Sequence, residues 1–353
     1  MQPVFSIDGG HPSAAAPVLA VLGMGGTIAG RAASPHDVVG YQAGVVPVAD
    51  LVAGMAPPVG WRVQAQQVAN VDSKDMTVAL WQALLGAVHA QLQQPDVGAI
   101  VVTHGTDTLE ETAWLLQTVL QPARPVVLVG AMRPASALAP DGPQNLADAL
   151  TLAVDGRLRA AGGVWVTLAG RVFAARTVTK VHPTRADAFG GGDAGPAAWV
   201  EAGRVRWVAP PAPLAGEAAD PRQAARMQAV LAAPRWPRVE WLASHGGADG
   251  ALVRALLRQR REAMAGRDAD DALAGLVVAG TGNGSLHEQL AAALAQAQDE
   301  GVAVWVTTRC PQGEVVPGEG GRAERRFAVT DLPPPKARVS LSLQLLWQAA
   351  GLA

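Results

Sequence analysis

Pro17 to Leu22 and Val97 to Val102 are apolar runs of strand length, and each breaks off directly into a turn rich in glycine and threonine. Strands that are apolar along their whole length, without polar alternation, must be covered on both faces. Further strand-length runs occur at Trp61 to Val68, Val126 to Val129 and Val164 to Leu168, with helix-forming stretches such as Met76 to Gln91 and Asn145 to Ala153 between them. That alternation predicts an α/β fold with a parallel, helix-covered sheet whose ligand crevice lies at the carboxyl ends of the strands. Around Ala209-Pro210-Pro211-Ala212-Pro213 the pattern breaks, and a second series follows with strands at Val239 to Ala243, Leu276 to Ala279 and Val302 to Val306 and a helix near Val339 to Ala350. The expectation is a larger N-terminal parallel-sheet domain over 1–208, a linker over 209–235 and a smaller C-terminal α/β domain over 236–353.

The two turns carry the chemistry. In Thr103-His104-Gly105-Thr106-Asp107-Thr108 a strand ends and a helix begins, running from about Leu109 to Val119, with Thr108 and Glu111 at capping-box spacing. Unpaired N–H groups at a helix start favour a carboxylate or oxyanion, although threonine and aspartate are also ordinary N-caps. The other turn, Gly23-Met24-Gly25-Gly26-Thr27-Ile28-Ala29-Gly30, lacks the glycine spacing of a dinucleotide fingerprint and is followed by no Walker lysine. Its alternative use is to present Thr27 as a nucleophile among backbone donors.

Composition narrows the field. The 353 residues include 28 Lys plus Arg, of which the lysines are Lys74, Lys180 and Lys336 alone, and Tyr41 is the single tyrosine beside ten tryptophans. A guanidinium cannot give up its proton in a protein and an indole cannot act as an acid or base, so surviving lysines and the phenol are candidates for proton transfer, with chance survival as the rival explanation. A net charge of −2 and 16% charged residues leave no electrostatic footprint for nucleic acid or anionic membrane. No apolar run approaches the roughly 20 residues of a membrane span, and the start Met1-Gln2-Pro3 lacks a basic, apolar leader, so a cytoplasmic location is expected. The one cysteine, Cys310, offers neither a disulfide nor a metal-binding set. Serine-hydrolase and zinc-protease motifs are missing.

Taken in order, Gly25 to Gly30, Tyr41-Gln42-Ala43-Gly44, Asp72-Ser73-Lys74-Asp75-Met76, Thr103 to Thr108 with Leu109-Glu110-Glu111-Thr112, Gly130-Ala131-Met132-Arg133-Pro134, Asp141-Gly142-Pro143 with Asn145-Leu146, and Val178-Thr179-Lys180 resemble the bacterial-type L-asparaginases. The resemblance continues through Gly282-Asn283-Gly284 and Pro335-Lys336-Ala337-Arg338, so it covers nearly the whole chain. It implies an amidohydrolase that converts L-asparagine and water to L-aspartate and ammonia without metal or organic cofactor. Thr27 looks like the nucleophile, with Tyr41, on a mobile segment from Arg31 to Gly44, exchanging a proton with it. Thr106, Asp107 and Lys180 look like a second hydroxyl, carboxylate and base, and inspection does not decide which threonine forms the covalent bond. Ser73 and Asp107 resemble grips on the substrate α-carboxylate and α-ammonium, Thr106 also belongs to the binding set, and Gly26 and Ala131 would act through their backbones. Asn283 resembles a residue delivered by a neighbouring subunit, which implies a homotetramer built from two dimers. The alternatives are a glutaminase-asparaginase of broad specificity and a catalytically inactive amino acid binding protein.

Two departures stand out. Met24 occupies a position where many members carry threonine, and in the second domain Glu314 and Glu319 are rival candidates for an acidic residue that meets the substrate ammonium.

Overall fold

The computed structural model describes residues 5–7, 16–211, 221–266, 269–316 and 326–353. The chain forms two compact units, Met1–Gln223 and Ala224–Ala353. Part of the expected linker, residues 212–220, lies outside the described residues, as does Glu319.

In the first unit the strands are β1 (Phe5–Ile7), β2 (Val18–Gly25), β3 (Arg62–Val71), β4 (Val97–Thr103), β5 (Val126–Val129), β6 (Val164–Leu168) and β7 (Arg171–Ala174), then the short pair β8 (Thr179–Lys180) and β9 (Phe189–Gly190), and finally β10 (Ala198–Glu201) and β11 (Arg204–Trp207). Nine of these make one sheet in the order β1-β3-β2-β4-β5-β6-β7-β10-β11, and β8 pairs with β9 separately. The run β3-β2-β4-β5-β6 is parallel, as the apolar runs require. Both ends of the sheet turn antiparallel, at β1 and at β7, β10 and β11, which the sequence pattern did not reveal. These flanking strands are short or alternate in burial, so they carry no continuous apolar signal.

Leu19 and Val21 of β2, Val63 and Ala65 of β3, Ala99 and Val101 of β4 and Val127 and Val129 of β5 face one core. The helices α1 (Val48–Ala53) and α4 (Gly142–Ala153) close over it. The helices α2 (Val78–Gln93) and α3 (Leu109–Leu120) pack against the sheet as well, and a short α5 (Gly156–Ala161) leads back into β6. From β2 the chain first adds β3 on one side and then crosses to add β4 on the other. That reversal opens a crevice beyond the carboxyl ends of β2 and β4, where an open α/β sheet binds its ligand. Both threonine turns begin there.

The second unit begins with α6 (Gln223–Ala232), whose first residue belongs to the unit before, and holds a four-stranded parallel sheet, β12 (Arg238–Ala243), β13 (Leu273–Gly280), β14 (Ala303–Thr308) and β15 (Ala328–Val329), in sequential order. The helices α7 (Ala251–Ala265) and α8 (Glu288–Asp299) share its main core through Val253, Leu257, Leu290 and Leu294. The last helix, α9 (Pro334–Ala349), packs on the same strands. No helix among the described residues is long and apolar enough to cross a membrane.

Candidate active site

The strand β2 ends in a glycine pair because no other residue fits there. Gly25 and Gly26 have φ of 98° and 79°, a region in which side chains are strained. A Cβ on Gly26 would also lie 2.3 Å from the N and Cα of Gly105, and one on Gly105 would lie 2.5 Å from the Ser73 hydroxyl. The two threonine turns therefore touch backbone to backbone, with Ser73 packed beside them. After Gly26 the chain makes a single 3-10 turn, Thr27–Ala29. The N–H groups of Thr27 and Ile28 open this turn and have no carbonyl of their own turn to bind.

Thr27 is 7% exposed, and its Oγ1 lies 2.5 Å from the Tyr41 hydroxyl. Tyr41 reaches it from a loop that is stitched to the turn. Arg31 and Gln42 exchange both backbone hydrogen bonds, Gly44 N–H donates to Gly26, and the N–H groups of Val45 and Val46 both donate to Ala29. Burial is the main force pushing the Tyr41 phenol pKa above its ordinary value; the hydrogen bond to Thr27 opposes the shift, and the charges of Asp72 and Asp107 add to it. The phenol is therefore protonated at neutral pH.

At the neighbouring turn Lys180, on β8, places its Nζ 2.9 Å from Thr106 Oγ1 and 2.6 Å from Asp107 Oδ1. Thr106 is buried, the Lys180 side chain is 15% exposed and that of Asp107 is 54% exposed, so the ion pair has a dry side and a wet side. The backbone N–H of Lys180 donates to the buried Glu110 carboxylate at 3.2 Å, which fixes where the two-residue strand crosses α3.

Ser73 is 2% exposed and accepts the Asp107 N–H at 3.2 Å, so its own proton remains to donate. It does not cap the following helix. Asp72 caps the short turn Ser73–Asp75 and Thr77 caps α2. The capping box expected at Thr108 and Glu111 is not formed: Thr108 makes no side-chain cap bond and sends its hydroxyl to the Ser73 carbonyl at 2.7 Å. A nearby buried carbonyl outcompetes the local N–H, and the hydroxyl ties the turn to Ser73 instead.

Ala131 is fully buried just after β5, in a turn that Asp141 and Asn145 hold. The Asp141 carboxylate accepts the N–H groups of Met132 and Arg133, and Asn145 donates to the Gly130 carbonyl at 3.1 Å and accepts the Ala169 N–H at 3.0 Å. A Cβ on Gly130 would meet Thr106 Cγ2 at 2.9 Å, so this turn abuts the second threonine. Met24 is buried within β2. Asn283 belongs to the second unit, at the tip of a Gly-Asn-Gly turn closed by Thr281 and Ser285, where its amide exchanges two 2.8 Å hydrogen bonds with the Val316 backbone. Glu314 is exposed in the same unit.

His104 is a residue that motif reading passed over. It is 1% exposed, and burial pushes its pKa down to about 4, so it is neutral at pH 7. Its hydrogen bonds then have only one consistent direction. Trp81 Nε1–H donates to Thr112 Oγ1 at 3.0 Å, Thr112 O–H donates to His104 Nε2 at 3.1 Å, and His104 Nδ1–H donates to the Gly105 carbonyl at 2.7 Å. This chain runs from α2 through α3 to the peptide that precedes Thr106.

Two family models cover this chain. Residues 18–213 match the N-terminal asparaginase domain and residues 238–348 match the glutaminase/asparaginase C-terminal domain. L-asparaginase 2 of Bacillus subtilis is 33% identical over 93% of this chain and 82% of its own, and L-asparaginase 2 of Escherichia coli is 33% identical over 94% and 89%. A crystal structure of a probable cytoplasmic L-asparaginase from Campylobacter jejuni, 31% identical, superposes with a TM-score of 0.76 over 94% of this chain and 95% of that one. The chain belongs to the asparaginase family of amide-hydrolysing enzymes.

Proposed function

We propose that this enzyme hydrolyses the side-chain amide of L-asparagine to L-aspartate and ammonia through a threonine acyl-enzyme. The observation that carries the reading is the Thr27–Tyr41 contact of 2.5 Å beside a second hydroxyl, lysine and carboxylate in line at the next strand end. Thr27 attacks the amide carbon while the N–H groups opening its turn hold the developing oxyanion. A phenol that is kept protonated works as a relay: it takes the Thr27 proton as it passes its own toward the departing nitrogen. Ammonia leaves, and water then cleaves the ester: its proton passes through Thr106 to Lys180 as Lys180 hands one of its own to Asp107, while Tyr41 gives its proton to Thr27 and takes the one on the new carboxylic acid.

Substrate selection follows from the same side chains. Ser73 has a proton to give to the α-carboxylate, and Asp107, with one oxygen on Lys180, has the other for the α-ammonium. Gly26 and Ala131 line the pocket with backbone alone. The catalytic domain is taken as 1–208, the linker as 209–235 and the C-terminal domain as 236–353. In this reading Asn283 serves a neighbouring subunit's site in a homotetramer. The Campylobacter relative's description supports a cytoplasmic location. The second reading, a glutaminase-asparaginase, is favoured by the C-terminal family model, whose description covers both substrates.

Ammonia release from L-asparagine and from L-glutamine at several concentrations tests the activity and its substrate. Asparagine turnover well above glutamine turnover supports the first reading and comparable turnover the second. Saturable binding of amino acid with no ammonia from either would leave only the inactive binding protein.

A further inference from the structure

A side chain outside every motif joins the two halves of the Thr27–Tyr41 contact. Gln67 lies on β3, and its amide makes three hydrogen bonds. Its Nε2 donates to the Gly23 carbonyl at 3.0 Å and to the Ala69 carbonyl at 2.6 Å, and its Oε1 accepts the Val48 N–H at 2.8 Å. Gly23 stands where the register of β2 against β3 shifts, just before Gly25, Gly26 and Thr27. Val48 opens α1 at the far end of the loop that carries Tyr41, and the residue before it, Pro47, has no side chain able to cap the helix. Gln67 supplies that cap from another strand.

We propose that Gln67 is a positioning residue that sets the Thr27–Tyr41 contact, by tying the strand that delivers Thr27 to the base of the loop that delivers Tyr41. There is little slack in the arrangement. A Cβ on Gly23 would fall 2.6 Å from both Gln67 Nε2 and Val48 Cβ, so strand, amide and helix start are in mutual contact. The site also demands an amide: two carbonyls need donors and one N–H needs an acceptor, from one planar group of this length. A glutamate would satisfy Val48 and set a carboxylate against two carbonyls. A leucine would abandon all three backbone groups.

The inference rests on the reading that Tyr41 exchanges a proton with Thr27, and the test separates the two. Gln67→Glu, Gln67→Leu and Val48→Pro are compared with wild type for kcat, KM and amide hydrogen exchange. Val48→Pro deletes the N–H from the other side at a helix position that proline favours, after a residue already in extended backbone, so it guards against a Gln67 variant that fails to fold. Exchange over residues 42–48 is expected to rise at least about tenfold while α3 is unchanged, and kcat to fall at least about tenfold with KM within about threefold. In a Tyr41→Phe background the same substitutions should lower kcat less than about twofold further, because residues acting through one contact are not additive. Unchanged exchange over 42–48, or an undiminished fall of kcat in the Tyr41→Phe background, would overturn the proposal. Full activity of Tyr41→Phe with Gln67 intact would instead overturn the proton-exchange reading, and this role with it.

Discussion

The two threonine turns stand at adjacent strand ends and solve different physical problems. Around Thr27 the partners are neutral: a phenol held protonated by burial, a pair of glycines and backbone N–H groups. Around Thr106 they are ionic, with Lys180 and Asp107 forming a chain that is dry at the hydroxyl and wet at the carboxylate. A neutral hydroxyl pair suits attack on a carbonyl. A hydroxyl wired to an ammonium and a carboxylate suits the management of protons and of a charged substrate end. The difference teaches that having two threonines does not make them interchangeable, and it can be broken experimentally.

The largest effect is expected at the neutral turn. Thr27→Ala should fold and bind aspartate while losing at least about 10³ in turnover, roughly 4 kcal/mol of transition-state stabilisation. Steady-state ammonia release checks this, and retention of more than a tenth of wild-type activity would move the covalent role elsewhere.

At the ionic turn, Lys180→Arg and Lys180→Met should both keep ligand binding within about tenfold and lose at least about 10² in kcat, the size of a general-base contribution. The arginine variant is the sharper of the two, since it keeps the charge beside Asp107 and removes the ability to give up one proton and take another. If it turns over at nearly the wild-type rate, the contrast drawn here between neutral and proton-managing turns is wrong.

A third test concerns what holds the ionic turn in place. Because His104 is neutral when folded with a pKa of about 4 and titrates near 6.5 when exposed, the unfolded chain binds a proton in this window that the folded chain refuses. Its contribution to stability is intact above pH 6.5 and is lost as pH falls toward 4, amounting to roughly 2–3 kcal/mol by about pH 4.5. Urea denaturation across that range should show this acid slope in wild type and a reduced one in His104→Gln. Identical slopes would remove His104 as its source.

The smallest effect belongs to the neutral turn again. Met24 is buried and apolar, so Met24→Thr should change stability by only about 1 kcal/mol and leave the preference for asparagine over glutamine intact. A large swing in that preference, measured by parallel kcat/KM determinations, would show that this position shapes the pocket.

Much of this contrast was legible before the fold was seen. The apolar runs at Val18 and Val97 announced β2 and β4, and glycine and threonine at their ends announced the turns, because strand burial and turn chemistry are both local. What was not legible depends on partners far away in sequence. Lys180 sits on a strand of two residues that forms only because β9 lies beside it, and Glu110 fixes its backbone across 70 positions. Thr108 looked like a helix cap because its spacing to Glu111 is local information, whereas the Ser73 carbonyl that takes its hydroxyl is 35 residues away. The direction of the Trp81–Thr112–His104 chain could not be read at all without knowing that His104 is buried.

Where backbone meets backbone at Gly26 and Gly105, the floor of the crevice has no adjustable part. A carbon added at Gly26 must displace main chain rather than a rotatable group, and one added at Gly105 must push aside the buried Ser73 side chain, so substitution at either position disturbs the site before it can reshape it. Variation in substrate range is thereby channelled to the walls, above all the turn from Gly130 to Arg133, whose shape is held by the side chains of Asp141 and Asn145. An engineer widening or narrowing this pocket should randomise those supports first and leave the floor untouched.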